Sequence, residues 1–174
     1  RVGRVHLDAC GYGVGYQYSR QRAGSDVSHR ESLTAHFERL DLPPDAAAWL
    51  LNLWDVIQVF DDLYDRDEVS RHTVLTTVWR VLVAMPANPF YKVNEPHLSP
   101  IIANALFKWQ AANVAEDDNA PTEVSFVWRA AFYDVVLMVV ALCHGPDKAL
   151  EMAHDVMGLY GEKYADYLKE FDYA

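Results

Sequence analysis

The sequence predicts an all-α fold, a single-domain helical bundle of about six helices with an extended N-terminal arm. Three observations predict it. Apolar residues recur at spacings of three and four, most clearly at Trp49, Leu50, Leu53, Trp54, Ile57 and Phe60, and that spacing marks one face of a helix. Residues that begin helices (Ser28, Pro43-Pro44-Asp45, Ser99-Pro100 and Pro121-Thr122) stand just ahead of such stretches. No stretch reads as a convincing strand, and the 174 residues suit one domain.

The arm, residues 1–27, has no helical period and is rich in Gly and Tyr. It is expected to be extended, ordering on a partner or lying over the body. The acidic helical domain then covers residues 28–174. Ser28-His29-Arg30-Glu31 reads as a capping box, with a helix to about Leu40 that turns Leu33, Phe37 and Leu40 to one side. Pro43-Pro44-Asp45 opens a second helix that runs to about Tyr64. Ser70 or Asp67 caps a third, with Val74, Val78, Val81 and Leu82 inward and a stop before Pro86. Four prolines between Met85 and Pro100 predict a structured loop there.

A fourth helix starts at Ser99-Pro100 and carries Ile101, Ala105, Leu106 and Trp109 on its face, fading at Glu116–Asn119. The fifth, from Pro121-Thr122 to about Cys143, is apolar nearly all round, as the central helix of a bundle is. Within it, Arg129 and Asp134 are expected to pair with each other or with neighbours, since buried charges need partners. Gly145-Pro146-Asp147 ends it and starts the sixth, which reaches about Phe171.

Charge narrows the function classes. Residues 1–25 hold four Arg against Asp8, a net of +3, so the remainder carries −13 of the overall −10. An acidic body repels nucleic acid, whereas a basic arm suits an acidic protein surface, including another copy of the same body. The longest apolar run, residues 135–143, is too short to span a bilayer. Cys10 and Cys143 form no framework of paired cysteines, which fits a reducing, cytoplasmic setting. Glu151-x-x-His154 is half of a di-iron pattern with no second copy in the chain.

The densest group of candidate ligands is Asp61-Asp62-Leu63-Tyr64-Asp65 at the end of the second helix. Asp61 and Asp65 share a face, and the helix dipole disfavours negative charge at a C-terminus. A hard divalent cation such as Mg²⁺ is one compensating group; Arg66 and Arg71 are another.

This stretch resembles the Asp-Asp-x-x-Asp motif of class I isoprenoid synthases, helical enzymes in which it holds the magnesium ions that ionise a diphosphate. Their second motif is matched in part by His154 to Glu162, where Asp155 and Glu162 fit and His154 and Gly158 do not. The resemblance implies a metal set of Asp61, Asp62, Asp65, Asp155 and Glu162, and a phosphate or diphosphate substrate. A second resemblance covers about residues 45–170. Met85-Pro86-Ala87-Asn88-Pro89-Phe90, Leu98, Ala105, Trp109, Arg129-x-x-x-x-Asp134 and the helix end at Gly145 look like small helical proteins of tailed bacteriophages. It implies a virion or accessory protein with an interaction role, in the virion or the host cytoplasm. The leading expectation is therefore a non-catalytic interaction module without a cofactor, binding a protein partner or itself through the arm. The alternative is the Mg²⁺-dependent enzyme.

Overall fold

The computed structural model describes residues 19–118 and 120–171, with side chains from His29 onward apart from that of Glu170. Residues 1–18 of the arm lie outside the described residues. The first helix, α1, is Ser19–Arg39, so it begins nine residues ahead of the Ser28 capping box and takes in the end of the expected arm. It buries Leu33, Phe37 and Leu40 as its spacing predicts. Asp41 then turns left-handed (φ 51°), and the Leu42 N–H reaches back to the Phe37 carbonyl at 3.2 Å. That bond is the mark of a Schellman stop.

Helix α2, Pro44–Tyr64, begins and ends where the sequence indicates. Its buried stripe is Ala46, Trp49, Leu50, Leu53, Val56 and Val59, slightly rotated from expectation, so Phe60 stays 47% exposed. It ends in a second Schellman turn. Arg66 is left-handed (φ 64°), and the Asp67 N–H donates to the Asp62 carbonyl at 2.8 Å.

Helix α3, Arg71–Trp79, is capped by Ser70, whose hydroxyl accepts the Thr73 N–H. It passes through a π-helical turn at Arg80–Ala84 into the short α4, Met85–Ala87. Two expectations fail here. Val78 and Leu82 point outward, 46% and 70% exposed, while Thr77 is the buried residue. The expected loop is also helical, because Asn88 caps α5, Pro89–Asp117, which runs through Pro96 and Pro100. Proline's φ is helical, and the loss is confined to one bond and one clash at each ring. Asn88 offsets it at the start: its Oδ1 accepts the Tyr91 N–H at 3.1 Å and its Nδ2 donates to the Asp45 carbonyl at 2.9 Å. Leu98, fully buried between the two rings, pins the middle.

The fifth predicted helix is two. Thr122 and Ser125 exchange side-chain-to-backbone bonds to start α6, Glu123–Arg129. The chain bends by 47° before α7, Ala131–His144. At the bend Ala130 bonds to Val127 and Tyr133 to Ala130, a tightening of the turn that breaks the α ladder. Helix α7 is central, burying Phe132, Tyr133, Val135, Val136, Val139 and Val140 and packing on α5 and on α8, Pro146–Met157. The sixth predicted helix is also broken, because Gly161 is left-handed (φ 66°) ahead of α9, Tyr164–Tyr167, and a closing 3₁₀ turn.

Helices α1, α2 and α3 alternate in direction. Contacts Arg30–Asp55 and Asp55–Arg80 run α1 and the π turn against the middle of α2. Asn88–Asp45 at one end and Tyr64–Asp117 at the other make α2 and α5 parallel. The C-termini of α2 and α5 thus share one end of the bundle, which gathers the carboxylates of Asp61–Glu68 and Glu116–Asp118. Among the described residues no single helix is long and apolar enough to cross a membrane; the α6–α7 pair is apolar enough but bent, and most of α7 is core.

Candidate functional site

The bend at Ala130 places Arg129 on the inside of the acidic end. Its Nε donates to Glu116 Oε1 at 2.5 Å, and its Nη2 bonds the other carboxylate oxygen, which makes the pair bidentate. Nη1 lies 3.3 Å from Asp61 Oδ1. The Trp109 indole N–H donates to the same oxygen at 3.2 Å. Tyr167 donates its hydroxyl to Glu116 Oε1 at 2.8 Å and meets the buried Ser125 hydroxyl at 3.2 Å. Burial works against the Arg129 charge, yet the Glu116 bonds and the Asp61 carboxylate outweigh it and hold the guanidinium more firmly protonated than usual. Side chains of α2, α5, α6 and α9 are therefore joined in one network around Arg129, whose own partners are Asp61 of α2 and Glu116 of α5.

Beside this network is a pocket of about 170 Å³. Its walls are aromatic: Trp54 from α2, Trp109 from α5, Phe132 and Tyr133 from α7, and Tyr160 and Tyr167 from the C-terminal segment. Asp61, Arg129 and Glu162 supply its charges. Trp54 stacks on His29 with centroids 4.8 Å apart, and His29 Nε2 lies 3.0 Å from the Tyr133 hydroxyl. The Tyr160 hydroxyl is buried beside the Glu162 carboxylate and makes no hydrogen bond of good geometry among the described residues. Burial raises the Tyr160 phenol above its ordinary value, with the Glu162 carboxylate adding to it; burial alone raises Tyr133. Tyr167 is pushed up to about 12, chiefly by burial. All three phenols are neutral at physiological pH.

The sequence-predicted ligands divide. Asp61 and Glu162 line the same pocket. Asp62 and Asp65 follow Asp61 on α2 and are not part of the pocket's lining. Asp155 is exposed on α8 and sits close enough to His36 of α1 to act on its charge, away from the acidic end. Among the described residues no three His, Cys, Asp or Glu side chains converge as metal ligands do. Asp134 pairs with Lys108 of α5 at 2.5 Å and not with Arg129, so both buried charges of the fifth predicted helix found neighbours rather than each other.

A second surface adjoins the aromatic pocket, sharing Ile57, Trp109, Arg129 and Phe132 with it. Phe60 and Leu63 form a ridge between two apolar grooves at the end of α2. One, about 500 Å³, is walled by Ile102, Leu106 and Trp109 of α5 and Phe132 and Val135 of α7. The other, about 200 Å³, is walled by Val74, Val78, Val81 and Leu82. Leu82 of that wall is 70% exposed, and beyond it Leu75 and Trp79 are 62% and 63% exposed. Comparison with family models, curated proteins and solved structures gives no match for the chain.

Proposed function

We propose that this chain is a non-catalytic, helical protein-interaction module that receives an apolar helix of a partner protein along α3 and the end of α2. One observation carries the reading. Helix α3 and the turn after it carry more apolar surface than the described residues cover. Val74 and Thr77 face α2, whereas Leu75, Val78, Trp79 and Leu82, spaced as one face of a helix, stay largely open to solvent among the described residues, Val78 and Leu82 at the lip of the smaller groove. A helix in a self-sufficient domain has one apolar face; a second, at spacings i, i+3, i+4 and i+7, is what a docking helix reads. Contiguous exposed apolar surface of this kind marks interaction sites in folded proteins. The basic residues of the N-terminal arm would add contacts to an acidic partner, and a bacteriophage setting remains compatible with such a role. The magnesium-dependent alternative has less support, because Asp61 is engaged by Arg129 and Trp109 and Asp155 lies by His36.

The test is association in solution. Sedimentation velocity of the full chain and of the Leu75→Glu/Leu82→Glu variant shows whether the stripe pairs copies of the chain. If the wild type is monomeric, a photo-crosslinker at Val78 should capture one discrete partner in extracts of the source cell, and the double variant should abolish the adduct. A monomer that yields no such adduct refutes the proposal.

A further inference from the structure

The aromatic pocket beside Arg129 is separate from the docking stripe, and its chemistry is different. Six aromatic side chains wall it, and charges sit on its rim and floor. Among the described residues Arg129 is the one cation of the cluster; it is paired with the carboxylates of Glu116 and Asp61, and Glu162 lines the same pocket. The cluster is thus negative by two charges. Asp61 receives both of its bonds on Oδ1, which leaves Oδ2 without a donor among the described residues. Glu162 is exposed, makes no ion pair among the described residues, and is set at the pocket by the left-handed turn at Gly161.

We propose that this pocket binds a small organic cation, a quaternary ammonium or guanidinium group. The faces of Trp and Tyr rings attract such a cation through their quadrupoles, most strongly where water is excluded. The surplus negative charge selects for it and against an anion. A bare metal ion is disfavoured because three hard ligands do not converge. A neutral apolar ligand would leave the carboxylates without a partner and fits the larger groove better. The buried Tyr160 hydroxyl, beside Glu162, offers an oxygen to an N–H or to a polarised methyl group. About 170 Å³ accommodates a head group of this size and little more.

Calorimetric and tryptophan-fluorescence titrations of the full chain test the assignment, with choline and methylguanidinium as probes. The uncharged isostere of choline, 3,3-dimethylbutan-1-ol, is the control. One or both cations should bind saturably, at least about tenfold more tightly than the isostere. Glu162→Gln, a change at an exposed side chain, should weaken the cation several-fold without affecting the isostere. Glu151→Gln, on the far part of α8, should change nothing. Preference for methylguanidinium would point to an arginine side chain as the natural ligand; preference for choline would point to a quaternary ammonium metabolite. Absence of saturation by either cation, equal binding of choline and its isostere, or undiminished binding to a folded Glu162→Gln variant would each overturn the proposal.

Discussion

Arg129→Met is the most searching test of how the acidic end is held. The guanidinium is 18% exposed, its partners Glu116 and Asp61 are 10% and 19% exposed, and it is bonded to both. Methionine fills much the same volume, so the loss is one of charge and hydrogen bonds rather than packing. Removing one member of a buried ion pair costs about 3–5 kcal/mol, because the remaining charge stays desolvated. The access of water to all three groups points to the lower end, about 3 kcal/mol. At about 2–4 °C per kcal/mol for a protein of this size, the melting temperature should fall by roughly 6–12 °C. Urea and thermal unfolding at neutral pH measure this, with the exposed Arg71→Met as a control expected within about 0.5 kcal/mol of wild type. Arg129→Lys keeps the charge but not the fork, and should fall between. The double variant Arg129→Met/Glu116→Leu should be more stable than the sum of its parts by about 1 kcal/mol or more, since it also removes the stranded carboxylate. A melting temperature within about 2 °C of wild type for Arg129→Met, or strict additivity in the double variant, would refute the reasoning.

Three further outcomes follow from local geometry. Arg66→Gly should stabilise the chain by about 0.5–1 kcal/mol in urea unfolding, since the left-handed Schellman position strains any side chain. Asn113 is fully buried with both amide atoms unpartnered among the described residues, so the similarly shaped Asn113→Leu should raise stability by about 1–3 kcal/mol. His36 accepts from Arg39 Nη2 at 2.7 Å, and burial first, then Arg39, lowers its pKa below 6.5 against the opposing Asp155. Neutral His36 therefore contributes stability that is complete above 6.5 and is lost as pH falls through the lower folded value. Melting curves across that window should show a steeper acid loss for wild type than for His36→Gln.

Much of the fold was legible in the sequence because the signals were local. Helix α2 announced itself through apolar spacing and a proline start, and α7 through a run of apolar residues that only a bundle centre tolerates. The misreadings have physical reasons. Pro96 and Pro100 argue for a loop only while the helix around them lacks other support; the Asn88 cap and the burial of Leu98 provide it. The bend at Ala130 has no glycine or proline to mark it; it coincides with the tightened turn at Ala130 and with the ion pairs of Arg129, which are contacts between distant segments. Val78 and Leu82 had the right chemistry for a core, but spacing cannot say whether the chain itself supplies the opposite wall. The site was half legible. Asp61 and Glu162 stood out as acidic residues and Trp109 as part of an apolar helix face, whereas Glu116, Tyr160 and Tyr167 were not singled out as site residues. Only folding brings these residues from α5 and the C-terminal segment together. The excess of Tyr and Trp, 15 residues in all, was the one trace they left.

The π turn at Arg80–Ala84 has a consequence for how such a chain can vary in length. A π turn holds one residue more than an α turn, and each helical residue rotates the chain by about 100°. Losing one residue there would leave a plain α-helix between two intact caps, Ser70 and Asn88. Because the π turn wraps its extra residue within a single turn, that loss would leave Leu75 and Trp79 in nearly the same phase relative to Met85. The outward stripe would keep its facing while the chain became one residue shorter. The π turn is thus the place where a single-codon deletion changes the length of this helix and spares its docking face.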